Sequence, residues 1–202
     1  MQISIGLDHK AMKKYRLSKY DPIFRDPNGV YTKEEWTSYC DIGNVYDGVV
    51  FTKDEYLRME AKFINVILQV LSSLGANSFW VRKLEPPFTA EEMRNYLGRY
   101  GLSMSPEEEA VRSSLYEGKK INISELKVYL RLFLRECFWC ELHAEESTIV
   151  LYWSDEYYMY LRCRGLDENI IQVSKTQGIY IEDIEDEDKD ETQEDAGTVL
   201  LS

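Results

Sequence analysis

The sequence predicts an α+β fold: about four helices packed on an antiparallel sheet that the C-terminal half mainly forms. Three observations carry this. Between residues 52 and 136 apolar residues recur at three- and four-residue steps, the helical period, and from 138 onward they alternate, the strand period. The two periods are segregated along the chain, which favours helices on one face of an antiparallel sheet over an alternating α/β fold. A length of 202 residues with 44% apolar content suits one core, so 1–184 reads as one domain and 185–202 as a tail.

Residues 1–7 alternate apolar and small side chains and read as a short strand; 10–19 is basic and reads as loosely ordered. Residues 20–48 are rich in turn formers (Pro22, Asp26, Pro27, Asn28, Gly29, Gly43, Asp47, Gly48), so short extended pieces are expected, tucked onto the core by Trp36, Tyr39 and Ile42. Residues 52–75 are the clearest element. Thr52 and Glu55 have capping-box spacing, Gly75 follows the last apolar residue, and Tyr56, Met59, Phe63, Ile67, Val70 and Leu71 share a face. Lys53, Arg58, Lys62 and Gln69 interrupt it too often for a membrane span. A strand is expected over 77–85 and helices over 89–100, 105–118 and 124–136. The first two of these helices open on Thr89/Glu92 and Ser105-Pro106, and Gly101 and Gly118 close them. Strands over 138–143, 148–153 and 157–163 make a meander, followed by a short helix over 167–174 and a last strand over 178–184.

The net charge of −12 is unevenly spread. Residues 182–195 contain ten acids and one base, Lys189, which leaves 26 acids and 23 bases elsewhere. Such a run reads as solvated and disordered, either a solubilising extension or a mimic of a phosphate backbone. The balance argues against direct nucleic-acid binding, which needs clustered Lys and Arg, and fits a basic protein partner. The first residues lack a continuous apolar stretch of the signal-peptide kind, so the expected compartment is cytoplasmic and Cys40, Cys137, Cys140 and Cys163 are expected as free thiols.

No residue set has a strong catalytic or metal-binding signature. Cys137-Phe-Trp-Cys140 with His143 and Cys163 is half a zinc pattern without the second tight pair, and a strand over 138–143 would turn Cys140 and His143 to opposite faces. As a redox pair it sits at a helix C-terminus, the wrong end for lowering a thiol pKa. Nucleophilic catalysis has only His9 and His143 as bases, so the chain is expected to be non-enzymatic, without metal or cofactor. The candidate partner surface combines the aromatic strip Tyr158 and Tyr160, on the face of their strand opposite Tyr157 and Met159, with the acids Glu141, Glu145, Glu146, Asp155 and Glu156.

The segment 20–60 carries Tyr20-Asp21-Pro22, Phe24-Arg25-Asp26, Gly29-Val30-Tyr31, Glu35-Trp36-Thr37-Ser38, Asp41-Ile42-Gly43, then Phe51-Thr52, Glu55-Tyr56 and Glu60. In this it resembles small cytoplasmic immunity proteins of bacterial polymorphic toxin and contact-dependent inhibition systems, over about 40 of the 202 residues. The resemblance implies a neutraliser that blocks one cognate toxin domain, often a basic nuclease, by stoichiometric occlusion. It transfers no contact residues, because such families bind through variable surfaces. Physically the loop looks structural, with Trp36 and Ile42 as anchors, Asp41 capping a turn and Gly43 beside it. An acidic adaptor domain recruiting a basic partner is the alternative, and an unrecognised hydrolase the third reading.

Overall fold

The computed structural model describes residues 12–85, 88–144, 148–154 and 156–184. Nine strands and five helices lie within them: β1 Lys13–Ser18, β2 Val45–Tyr46, β3 Val49–Val50, α1 Lys53–Ser73, β4 Ser78–Arg82, α2 Ala90–Arg99, α3 Pro106–Ser113, β5 Lys120–Asn122, α4 Leu126–Leu134, β6 Glu141–Ala144, β7 Val150–Ser154, β8 Tyr158–Cys163, α5 Glu168–Thr176 and β9 Tyr180–Ile184. Seven strands form one antiparallel sheet in the order β5-β4-β6-β7-β8-β1-β9, and β2 pairs with β3 alone. The fold is α+β. Its sheet strands are spread along the chain, though mostly in the C-terminal half.

The central helix forms for the reasons its sequence gives. The Thr52 hydroxyl accepts from the Glu55 N–H at 3.3 Å and the Glu55 carboxylate accepts from the Thr52 N–H at 2.9 Å, so two otherwise orphaned donors are satisfied. Gly75 ends it at φ +71°, a conformation that costs a side-chain-bearing residue energy. In between, α1 buries Tyr56, Phe63, Ile64, Val66, Ile67, Val70 and Leu71, each large apolar side chain contributing about 1.5–3 kcal/mol before entropy is subtracted. Glu60, also buried, accepts from Arg135 Nε at 2.7 Å and Nη2 at 2.9 Å, while Arg131 bonds Glu108 at 2.9 Å. This network ties α1, α3 and α4. No helix among the described residues is long and apolar enough to cross a membrane.

The sheet has two unlike faces. Tyr15, Leu17, Phe79, Val81, Leu142, Leu151, Met159, Leu161 and Ile181 join the helices in one apolar core. Among the described residues, those that alternate with them stay mostly half-buried or exposed.

Two expectations need correction. Residues 10–19 are not loosely ordered where described: Lys13–Ser18 is β1, an interior strand between β8 and β9. Its apolar Tyr15 and Leu17 enter the core while Lys14 and Arg16 face out, the pattern of a strand with one open face. The helix expected over 105–118 stops at Ser113, and Gly118 instead turns the chain into β5 at φ +85°. The last strand, expected over 178–184, is β9, in which Glu182 pairs with Arg16 and Arg25 and Asp183 with Lys13. The strand expected at 1–7 and the tail at 185–202 lie outside the described residues.

Candidate binding surfaces

Register assembles the open face of the sheet. One row across it runs Lys120, Trp80, His143, Val150, Arg162, Lys14, and the next runs Arg82, Glu141, Tyr152, Tyr160, Arg16, Glu182. Directly opposed side chains on neighbouring strands lie close enough to touch. Accordingly Tyr152 and Tyr160 stack with centroids 5.2 Å apart at 21°. Five cations and two carboxylates occupy these rows. Glu141 is engaged, with Lys83 Nζ at 2.7 Å and His143 Nε2 at 2.6 Å. Burial alone would raise its pKa, but Lys83 and His143 outweigh that and hold it below the ordinary carboxylate range.

Of the residues expected to form a partner surface, Glu141, Tyr158 and Tyr160 share this face. Tyr158 is covered in part, by the Tyr20 ring at 5.0 Å and the Arg25 guanidinium at 5.7 Å. Glu156 sits instead in the turn before β8 at φ +59°, where its carbonyl accepts from the Tyr20 hydroxyl at 2.7 Å. Glu145, Glu146 and Asp155 lie outside the described residues.

The loop that carries the resemblance is a clamp. Arg25 donates to Glu182 at 3.0 and 3.1 Å, and Asp21 accepts from the Tyr180 hydroxyl at 3.0 Å, so the loop is fastened to the edge strand. Asp26 accepts from the N–H groups of Asn28 and Val30, closing the Pro-Asn-Gly turn. Lys19 lies over the Tyr20 and Trp36 rings at 4.0 and 4.2 Å and donates to Glu35 at 3.1 Å; burial brings its pKa down to about 8. Asp41 accepts from the N–H groups of Thr37 and Ser38. Trp36 stacks on Phe51 at 4.4 Å, and the Gly43 N–H, at φ +100°, donates to the Phe51 carbonyl.

Beyond the clamp stands a second surface, which the sequence reading missed. Asp47 and Gly48 both take positive φ and turn β2 into β3, as a two-residue hairpin needs. Among the described residues this ribbon joins no other strand, and Val45, Val49 and Val50 are 59%, 63% and 51% exposed. Between it and α1 lies a hollow of about 500 Å³ floored by Trp36, Phe51 and Met59. Its charged lining residues are Glu55, Arg58 and Lys62. The signal available in the sequence was Asp47-Gly48 flanked by apolar pairs.

Cys137, Cys140 and Cys163 are buried and Cys40 exposed, all as thiols. Burial pushes the Cys137 thiol up to about 12, far from the reactive thiolate range. Cys140 faces the core while His143 lies on the open face. Among the described residues no three His, Cys, Asp or Glu side chains cluster as a metal ion would require. Comparison of the chain with protein-family models, with curated proteins and with solved structures finds no match.

Proposed function

We propose that this chain is an immunity-type antidote. It binds a toxin domain in a stoichiometric complex and blocks it by occlusion, using the hairpin shoulder formed by β2, β3 and the first half of α1. The observation that carries this is the exposed valine ribbon. A two-stranded ribbon that pairs with no other strand among the described residues and opens three valines is a liability unless a protein partner covers it. The shoulder belongs to the same segment that resembles immunity proteins, and the charged groups that line its hollow, Glu55 with Arg58 and Lys62, are of mixed sign, so the apolar ribbon and not net charge supports the reading. Two polar residues of the segment that carries the resemblance are occupied internally, Arg25 with Glu182 and Glu60 with Arg135, so they serve as frame and leave contact to the ribbon.

The test is co-expression with the C-terminal domain encoded by the adjacent upstream gene. The expected result is that the domain arrests growth alone and that this chain restores growth and elutes with it one to one. The double substitution Val49→Lys and Val50→Lys should abolish both effects while leaving the melting temperature unchanged. A harmless domain, or rescue that survives the double substitution, contradicts the reading. The competing adaptor reading, in which residues 185–202 recruit a basic partner, is separated by deleting them: an adaptor loses its partner and an occluding shoulder keeps it.

A further inference from the structure

We propose that the hollow between the β2–β3 ribbon and α1 takes an apolar side chain flanked by a carboxylate on the toxin domain, with Lys62 and Arg58 receiving the carboxylate. The inference rests on the toxin reading above and adds the chemistry of the contact at that site.

The apolar half of the site is open. Val49 and Val50 are 63% and 51% exposed on the ribbon side, and Met59 is half-buried on the helix side. The volume of about 500 Å³ lies in the range of sites that enclose a ligand. The floor is already covered: Trp36 stacks on Phe51 at 4.4 Å and carries Lys19 over its ring at 4.2 Å. Trp36 therefore serves as a rigid base and not as a stacking platform, and the occupant is held by burying its apolar surface against the valines and the methionine.

The charged half of the site is on α1. Arg58 and Lys62 are exposed and stand one helical turn apart on one face. Like charges at this spacing destabilise a helix. Among the described residues neither side chain takes part in an ion pair that would offset this. Lys62 has Arg58, Met59, Asn65 and Val66 at its three- and four-residue positions, so no acid of α1 stands where it could pair. Arg58 has Asp54 and Glu55 within that spacing, but the Glu55 carboxylate is engaged at the helix cap, accepting from the Thr52 N–H and hydroxyl at 2.9 Å each. The ribbon side has the opposite polarity: burial, and then the Asp41 and Glu34 carboxylates, raise the Tyr46 pKa. An acid on the occupant is thereby directed to α1. An uncharged anchor would desolvate Arg58 and Lys62 without giving them a partner, and a Lys or Arg beside the anchor would be repelled. The contact is thus locally acidic on the toxin side, whatever the net charge of that domain.

The experiment compares three forms of the full chain against the C-terminal domain encoded by the adjacent upstream gene, by growth rescue and by titration of the purified partners. The forms are the parent, Arg58→Glu with Lys62→Glu, and Arg58→Gln with Lys62→Gln. The glutamate pair should weaken binding at least about tenfold and lose rescue, and the glutamine pair should lose less. Both positions are exposed, so the melting temperature should not move. A toxin surface that is basic at this point would bind the glutamate pair more tightly, so tighter or unchanged binding overturns the inference. Two dyes read the hollow without the toxin. The apolar anion anilinonaphthalenesulfonate should bind the parent more tightly than the neutral phenylnaphthylamine, and the glutamine pair should remove that preference; equal affinity of the parent for both dyes overturns the inference. If the parent neither rescues nor co-elutes, the toxin reading fails and the inference with it. If the parent and the glutamate pair both rescue while Val49→Lys with Val50→Lys does not, this inference fails alone.

Discussion

The hairpin shoulder and the open sheet face sit on either side of one clamp and differ in almost every physical respect. The shoulder is apolar with a mixed charged rim of Glu55, Arg58 and Lys62 and is made by contiguous chain, Trp36 to Lys62. The open face is aromatic and cationic and is made by register, with residues from seven strands that are far apart in sequence. The difference teaches that polarity is a property of a surface and not of a chain. A net charge of −12 is compatible with a face on which, among the described residues, five cations stand in register with two carboxylates. It also teaches where each kind of surface is to be found: contiguous surfaces in the sequence, register-built surfaces only in the fold.

The comparison assumes a common rigid frame, and the largest expected effect is the loss of that frame. Arg135→Ala leaves Glu60 buried without its bidentate partner, which typically costs 3–5 kcal/mol. Arg131 Nε, 3.6 Å away, remains to compensate in part, so about 3 kcal/mol is expected. Urea denaturation reads this directly, and both surfaces should fail together as the temperature is raised. A change below about 1 kcal/mol would mean that the network does not hold α1, α3 and α4 in place.

The next effect separates the surfaces. Val49→Lys with Val50→Lys should abolish toxin co-purification, and Arg58→Glu with Lys62→Glu should weaken it about tenfold or more. Tyr152→Ala with Tyr160→Ala, on the open face, should leave it intact. If the tyrosine pair disables co-purification at unchanged stability, the two surfaces are one.

A smaller effect probes the clamp between them. The Lys19 pKa is about 8 in the folded chain against 10.5 for the free side chain. A lowered lysine means that the unfolded chain holds the proton between those values, so the Lys19 contribution to stability should rise as pH climbs from about 8 toward 10, by about 3 kcal/mol at most. Other buried groups oppose it. The Cys137, Cys140 and Cys163 thiols, and above them Tyr20, Tyr56 and Tyr157, have pKa values raised by burial, so from about pH 9 the unfolded chain loses their protons first and the stability they lend is lost. The Lys19 contribution is therefore read as the difference in urea midpoint between the parent and Lys19→Met, which should shift in favour of the parent as pH rises from about 8 toward 10. A difference that does not change over that range would show that Lys19 is not held in the aromatic box as described.

Much of the frame was legible from the sequence because its signals are local. The caps at Thr52, Thr89 and Ser105 each act within four residues, and α1, α2 and the start of α3 stand where those caps place them. The alternation of β7 and β8 is equally local, and the meander has the expected pairing. What was missed depends on partners elsewhere in the chain. β1 reads as a basic tail until β8 and β9 supply its neighbours, and β5 has a single core residue, Ile121, and exists because Phe79 lies opposite. The acids chosen as contact residues show the same limit. Glu141 looks free in the sequence, yet Lys83 reaches it across a turn from β4, and His143 reaches it from two positions along its own strand. The aromatic strip was visible in Tyr158 and Tyr160, but Trp80 and Tyr152 join it only through cross-strand pairing.

The measurement that tests the central claim most directly is co-expression of the C-terminal domain encoded by the adjacent upstream gene with the parent chain and the two double variants of the shoulder side by side, scored as growth and co-elution. The account expects rescue and one-to-one elution by the parent, neither for the Val49/Val50 lysine pair, and binding weakened about tenfold or more for the Arg58/Lys62 glutamate pair. Identical behaviour of all three proteins, or no association by any, would contradict it.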